Sequence, residues 1–251
     1  MLVNTVHYDA APEGSSARTI TTMGIKERQE RDRESVRRSI LDAARELFVA
    51  EGYANVSIRK IAERIEYSPA ALYSYFASKD DIFYALAEEG FRLLHRTDAP
   101  DVRAKVAPLD QLREMLWHFY EFSKEQPQYF ALMFVDRSVP AIRCVYERFP
   151  FAREAKHALI ANLQRCIDSG VLPSHVPAVV AFRLLITGLL GVATMRLSDR
   201  LNPDENADDI ARDVLDVTLA GLKSGVALRS HVPSHSLGDG GAQAPQIGVV
   251  E

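Results

Sequence analysis

The chain is poor in the features that carry most enzyme, export and membrane chemistry. Its 251 residues contain two cysteines, Cys144 and Cys166, set far apart. No charged-then-apolar leader opens the sequence, so both are expected to be reduced thiols in a cytoplasmic protein. No His/Cys cluster has metal-ligand spacing, and neither a nucleophile elbow nor a glycine-rich phosphate loop appears. An enzyme is therefore not expected, and no catalytic residue, metal or cofactor is assigned. Long hydrophobic runs are also missing: the longest, Leu184 to Met195, is interrupted by Thr187 and bounded by Arg183 and Arg196. A bilayer takes about 20 residues, so no membrane partner is expected. Nor is one charge in large excess, since 30 Lys and Arg stand against 34 Asp and Glu for a formal −4. That excludes a protein coating nucleic acid over its whole surface, yet it allows a local basic footprint. No strand periodicity competes anywhere, which leaves an all-α chain.

What is present is helical patterning over most of the length, with 47% hydrophobic residues and ample chain for a core. Residues 1–22 are polar and small, and a disordered arm over 1–25 is expected, with Met23 a second plausible start. A dense mixture of both charge signs follows, with Glu27/Arg31 and Glu34/Arg38 at i,i+4. An apolar stripe then runs through Ile40, Leu41, Ala44, Leu47 and Phe48 to Gly52, predicting a helix over roughly 33–51. Its basic N-terminal part faces either solvent or phosphate.

The most informative stretch is Ser57 to Lys79. Ser57 is a good N-cap, and Ile58, Ile61, Ala62 and Ile65 recur at helical spacing to form one buried face. Glu66-Tyr67 breaks the pattern. Ser68-Pro69 restarts it, with proline at the first helical position, where its missing N–H costs nothing. Leu72 and Phe76 point inward, leaving Pro69, Ala70, Ala71, Tyr73 and Ser74 outward. A short helix with small residues on its exposed face suits a major groove, and the whole reads as a helix-turn-helix.

Residues 37 to 84 resemble the DNA-binding domain of the tetracycline-repressor (TetR) family. The resemblance rests on Ile-Leu-Asp-Ala-Ala-x-x-Leu-Phe from Ile40, Gly52-Tyr53, Ser-Ile-Arg-x-Ile-Ala from Ser57, and Leu-Tyr-x-Tyr-Phe-x-x-Lys from Leu72. It covers about a fifth of the chain. The family usually has glycine where Glu66 stands. Positive φ at a glutamate costs on the order of 1 kcal/mol, so the turn is expected to be built slightly differently while docking survives. Ala70 and Ala71 replace commoner polar or glycine residues, which shifts readout toward thymine methyls and DNA shape.

The resemblance implies a contact set. Arg59 reaches a guanine edge, Ser57 and Lys79 grip phosphate, and Tyr73 and Tyr75 touch phosphate or thymine. It also implies one domain over 26–80 for DNA and a second over 81–224 that dimerises and holds an effector. From Gly225 on, Ser, His, Gly and Pro dominate, and a disordered tail over 225–251 is expected from that composition. The implied partner is double-stranded DNA carrying a pseudo-palindromic operator.

Within the second half, Ser78 to Asp81 resembles a capping box that opens a helix from Lys79 to about Arg96. Further helices are expected at 109–125, near 141–148, from Pro150 to Gly170, at 176–197 and at 208–223. The last two carry enough apolar surface to bury one side at home and one against a second copy, predicting a homodimer. Trp117, Tyr120, Tyr129, Phe130, Phe134 and Tyr146 are the candidate lining of a site for a small hydrophobic or aromatic effector. The chain is thus read as a dimeric ligand-responsive regulator, most naturally a repressor. The alternative is a regulator with no effector or one controlled by a protein partner.

Overall fold

The computed structural model describes residues 16–95, 106–140 and 149–230, with side chains described from residue 24. The chain divides into two compact units, and the break falls after Phe83. The helix expected near 141–148, the linker after Arg96, the first 15 residues and most of the tail lie outside the described residues.

The first unit begins with a long helix, α1 (Ser16–Glu51). It starts well upstream of the expected residue 33, so part of the stretch read as a disordered arm is helical. No proline occurs between Pro12 and Pro69 to stop it, and a lone Gly24 costs only about 1 kcal/mol of helix propensity. A 3-10 turn (Tyr53–Asn55) leads into α2 (Ile58–Arg64), α3 (Pro69–Tyr73) and the start of α4 (Lys79–Leu94). Ile40, Ala44, Phe48, Ile61, Ala62, Leu72, Ile82 and Phe83 are all essentially inaccessible. Each large member contributes roughly 1.5–3 kcal/mol of burial, and truncating Phe48 to alanine would cost about 3–5 kcal/mol. Tyr53 sits among them, with ring centroids 5.0 Å from Phe48 and 5.7 Å from Phe83.

The second unit takes the remainder of α4 with α5 (Pro108–Glu125), α6 (Pro127–Phe130), α7 (Pro150–Asp168), α8 (Ala178–Leu197) and α9 (Ala207–Lys223). A π-turn, Ala131–Val135, continues α6. Prolines at the first positions of α5, α6 and α7 mark their starts, as their missing N–H groups allow. α8 and α9 pack closely: a Cβ placed on Gly188 would lie 2.6 Å from Val214. At 20 residues and mean hydropathy 2.0, α8 is long and apolar enough by length and composition to cross a membrane. The uninterrupted apolar run understated it because the helix continues through Thr187 and both flanking arginines. Its inner face buries Val180, Leu185, Leu189 and Val192, while Leu184 and Met195 stay open.

Candidate nucleic-acid interface

Local rules build the reading head. Ser57 Oγ accepts the Lys60 N–H at 3.2 Å, capping α2, and Ser68 Oγ accepts the Ala71 N–H at 3.2 Å, capping α3. Each such cap is worth about 1 kcal/mol. Between the helices the chain turns in a Schellman motif: Tyr67 N–H donates to Ala62 O at 2.9 Å and Glu66 N–H to Glu63 O at 3.3 Å. That motif needs a left-handed residue, and Glu66 supplies it at φ 60°. The expected rebuilding of the turn does not occur. The glutamate adopts the glycine-like conformation because the two backbone bonds and the buried anchors on either side, Ile61 and Leu72, determine the path.

α3 presents Pro69, Ala70, Tyr73 and Ser74 to solvent, with Ala71 half-buried and Tyr73 57% exposed. Ser74 Oγ is turned back onto Ala71 O at 2.6 Å. Arg59 is open on α2, its Nε paired with Glu63 Oε1 at 2.8 Å one turn on. Glu63's carboxylate raises the Arg59 pKa, chiefly through that hydrogen bond. Neighbouring cations are committed to the fold: Lys60 pairs with Glu51, and Arg64 meets Glu46 at 3.1 Å, tying α2 to α1.

Two residues of the contact set that the resemblance implied also make contacts within the fold. Lys79 Nζ donates to Tyr53 O at 2.8 Å and Val56 O at 2.9 Å, and lies 4.0 Å from the centre of the Tyr53 ring. Its ammonium therefore closes the 3-10 turn against the start of α4, where Tyr53 Oη also donates to Asp80. Tyr75 is half-buried, and the Arg33 guanidinium stands 5.3 Å from its ring centre. Arg33 Nη2 also donates to Ser74 O at 3.3 Å, and one turn later Arg37 stands 5.2 Å over the Phe76 ring. Sequence reasoning missed this pairing because the partners lie about 41 residues apart.

The candidate effector residues divide into two groups. Phe130 is buried at the centre of a ring cluster, 5.0 Å from Phe134 and 5.5 Å from Phe119, and Phe91 and Phe149 join its edge at 5.3 Å from each other. Tyr129 packs beside Gly90, where an added Cβ would come within 3.2 Å of its ring. Trp117 and Tyr120 face elsewhere, toward α9. Trp117 Nε1 donates to Glu121 at 2.9 Å under the Arg212 guanidinium, and Tyr120 Oη donates to Asp208 at 2.9 Å. Burial pushes the Tyr120 phenol well up, with the Asp208 hydrogen bond adding to it. Tyr146 lies outside the described residues. Phe91 and Phe119 were read from sequence only as helix-face residues, not as part of a lining; a plain count of aromatics does not say which helix faces converge. In the same unit Glu88 Oε2 is buried and has no hydrogen-bond partner among the described residues.

Comparison with known proteins places these features among relatives. A family model described as "Bacterial regulatory proteins, tetR family" matches residues 40–86, and "Tetracyclin repressor-like, C-terminal domain" matches 112–218. The chain is 27% identical over 192 residues to the transcriptional repressor AcnR of Corynebacterium diphtheriae, covering 75% of this chain and 92% of that one. The transcriptional repressor Rv1474c of Mycobacterium tuberculosis matches locally, at 42% identity over 53 residues, 21% of this chain and 28% of its own. Among solved structures, the regulator PfmR of Thermus thermophilus superposes with TM-score 0.56 at 26% identity, covering 73% of this chain and 98% of that chain. FadR of Bacillus subtilis, solved with stearoyl-CoA, has TM-score 0.61 at 17% identity over 73% of this chain and 97% of its own.

Proposed function

The chain belongs to the TetR family of bacterial DNA-binding transcriptional regulators, and on that premise we propose that it is a cytoplasmic homodimeric repressor, released from its operator by a small apolar effector. The observation that carries the DNA half is α3. It is a short helix capped at its start, anchored inward by Leu72 and outward almost featureless except for Tyr73. A helix of that outline enters a major groove without steric cost and reads methyl groups and groove shape. Ser57, Arg59, Pro69, Ala70, Ala71, Tyr73, Ser74 and Tyr75 form the contact set. Lys79 acts there mainly by holding the turn that carries Ser57.

We assign dimerisation to α8 and α9. Leu184, Met195 and Val217 are exposed on them, Val217 at 73%, and Gly191 and Gly221 have open space where a side chain would stand. Small residues beside exposed aliphatic ones let partner helices approach closely, and an isologous contact sets two reading heads on a pseudo-palindrome. The effector site is assigned to the ring cluster of Tyr129, Phe130 and Phe134, with Phe91 and Phe119 added. FadR, of the same fold, was solved in complex with stearoyl-CoA, which makes acyl compounds the first class to test.

Gel-shift titration against the DNA flanking its own gene tests the reading, with and without fatty acyl and aromatic compounds. One retarded species at a two-fold symmetric site, lost on adding an effector, is the expected result. Failure to enrich any sequence in a genome-wide selection would sink it.

A further inference from the structure

α3 is five residues long, too short to hold itself together in water, because helix nucleation is unfavourable and little propagation follows. Its entry is secured by the Ser68 cap and its middle by Leu72. Its exit carries Tyr73 and Ser74, the side chains that stand toward DNA, and the backbone there continues by turns, Tyr75 N–H to Leu72 O at 2.9 Å and Phe76 N–H to Leu72 O at 3.0 Å. Phe76 is buried just beyond that exit, and a further restraint comes from outside the helix-turn-helix. Arg33 donates to Ser74 O, the carbonyl of the α3 C-cap, and covers the Tyr75 ring, while Arg37, one turn along α1, covers Phe76. A cation is well placed at a helix C-terminus and over an aromatic face. Beside Tyr75 the space is an open cleft of about 540 Å³ lined by Lys26, Asp32, Val36 and other α1 residues. Arg33 and Tyr75 both line that cleft, with the guanidinium 5.3 Å from the ring centre.

We propose that Arg33 is a positioning residue for operator readout, locking the exit of α3 and hence Tyr73 and Ser74 in register through Ser74 O and the Tyr75 ring. The proposal rests on the DNA-binding reading and adds to it a determinant of selectivity outside the motif. It also separates Arg33 from a simple phosphate contact. A phosphate contact strengthens binding to every sequence and adds to the salt slope, whereas a positioning residue acts on the operator alone.

The test is fluorescence anisotropy of the full chain on an operator duplex and a scrambled duplex across a salt series. Wild type, Arg33→Ala, Arg33→Lys, Tyr75→Leu and the Arg33→Ala/Tyr75→Leu double variant are compared, with helicity and melting recorded for each. Arg33→Ala should weaken operator binding on the order of tenfold while leaving the scrambled duplex and the salt slope unchanged. Arg33→Lys, which keeps a cation over the ring, should recover part of the lost selectivity. In the Tyr75→Leu background, Arg33→Ala should cost less than in wild type, because the ring contact is already gone and only the Ser74 O bond remains to lose. Equal weakening on both duplexes with the salt slope reduced by about 1 would make Arg33 a phosphate contact and overturn the proposal. An unchanged operator-to-scrambled ratio, or full additivity with Tyr75→Leu, overturns it as well. If wild type itself prefers no duplex, the DNA-binding reading fails instead, which is a separate outcome. Should Arg33→Ala prove too unstable to assay, Arg33→Met, which keeps the stem but has neither cation nor donor, takes its place in every comparison.

Discussion

Glu66 shows what one residue can be made to do by its surroundings. It sits at φ 60° in the αL position of a Schellman cap, a conformation that costs an ordinary L-residue about 1–2 kcal/mol. Gly170 and Gly225 fill the corresponding positions after α7 and α9 with glycine, and Asp199, at φ 51°, fills the one after α8. Glu66→Gly should therefore stabilise the protein, by about 0.5–1 kcal/mol once the greater unfolded-state freedom of glycine is offset. A raised melting temperature with unchanged operator affinity is the expected result, checked by calorimetry and anisotropy. Glu88 makes a second residue-scale prediction. Burial pushes its carboxyl up from the ordinary carboxylate range, against the opposing field of Arg92. A raised folded-state pKa means a contribution to stability complete below the unfolded value of about 4.3 and lost as pH rises through the folded one. Glu88→Gln should accordingly raise the melting temperature near pH 8 and change it little near pH 4. A loss of stability near pH 8 would instead show that the carboxylate has a partner in solution.

At the scale of the element, α2 and α3 were legible because their determinants are local. Two Ser N-caps, a Pro at the first position and inward residues three and four apart are read within one turn of where they act. The roles of Arg33 and Lys79 were not legible, since each acts on backbone carbonyls far away in sequence: Ser74 O for Arg33, and Tyr53 O and Val56 O for Lys79. Arg59 and Lys79 should thus separate in mutagenesis. Arg59→Ala should weaken specific binding by about 1–3 kcal/mol and relax one operator position, with little change in melting, because its only described partner is the exposed Glu63. Lys79→Ala should lower stability by about 1–3 kcal/mol through two carbonyls left short of a charged donor, weakening all duplexes as the turn carrying Ser57 loosens. Circular-dichroism melts beside binding isotherms distinguish the two. α1 illustrates the limit of composition. A polar, mixed-charge stretch looks like a solvated arm, yet nothing in it breaks a helix, and two of its arginines find aromatic faces.

For the whole molecule, the faces of α8 and α9 carry the prediction. Val217, at 73% exposed, stands where burial against a second copy would be worth roughly 1.5–3 kcal/mol per subunit. Val217→Glu should shift light-scattering mass from dimer toward monomer at micromolar concentration and weaken operator binding along with it. A wild-type monomer under those conditions would remove the dimer from the model of action. The sequence by itself determined the helical class, the reading head with its caps, and the family, since these depend on periodicity and motifs confined to a few turns. Tertiary structure alone decided that Trp117 and Tyr120 turn to α9 while Phe130 and Phe134 meet Phe119, and that Lys79 holds a turn. It also decided that the exit of the reading helix is held from α1. Such facts depend on which helix faces converge in space, and that is set by packing between segments tens of residues apart. For Ser57–Lys79 the outcome is specific: its start is secured by its own serines, its turn by a strained glutamate, and its end by an arginine of another helix.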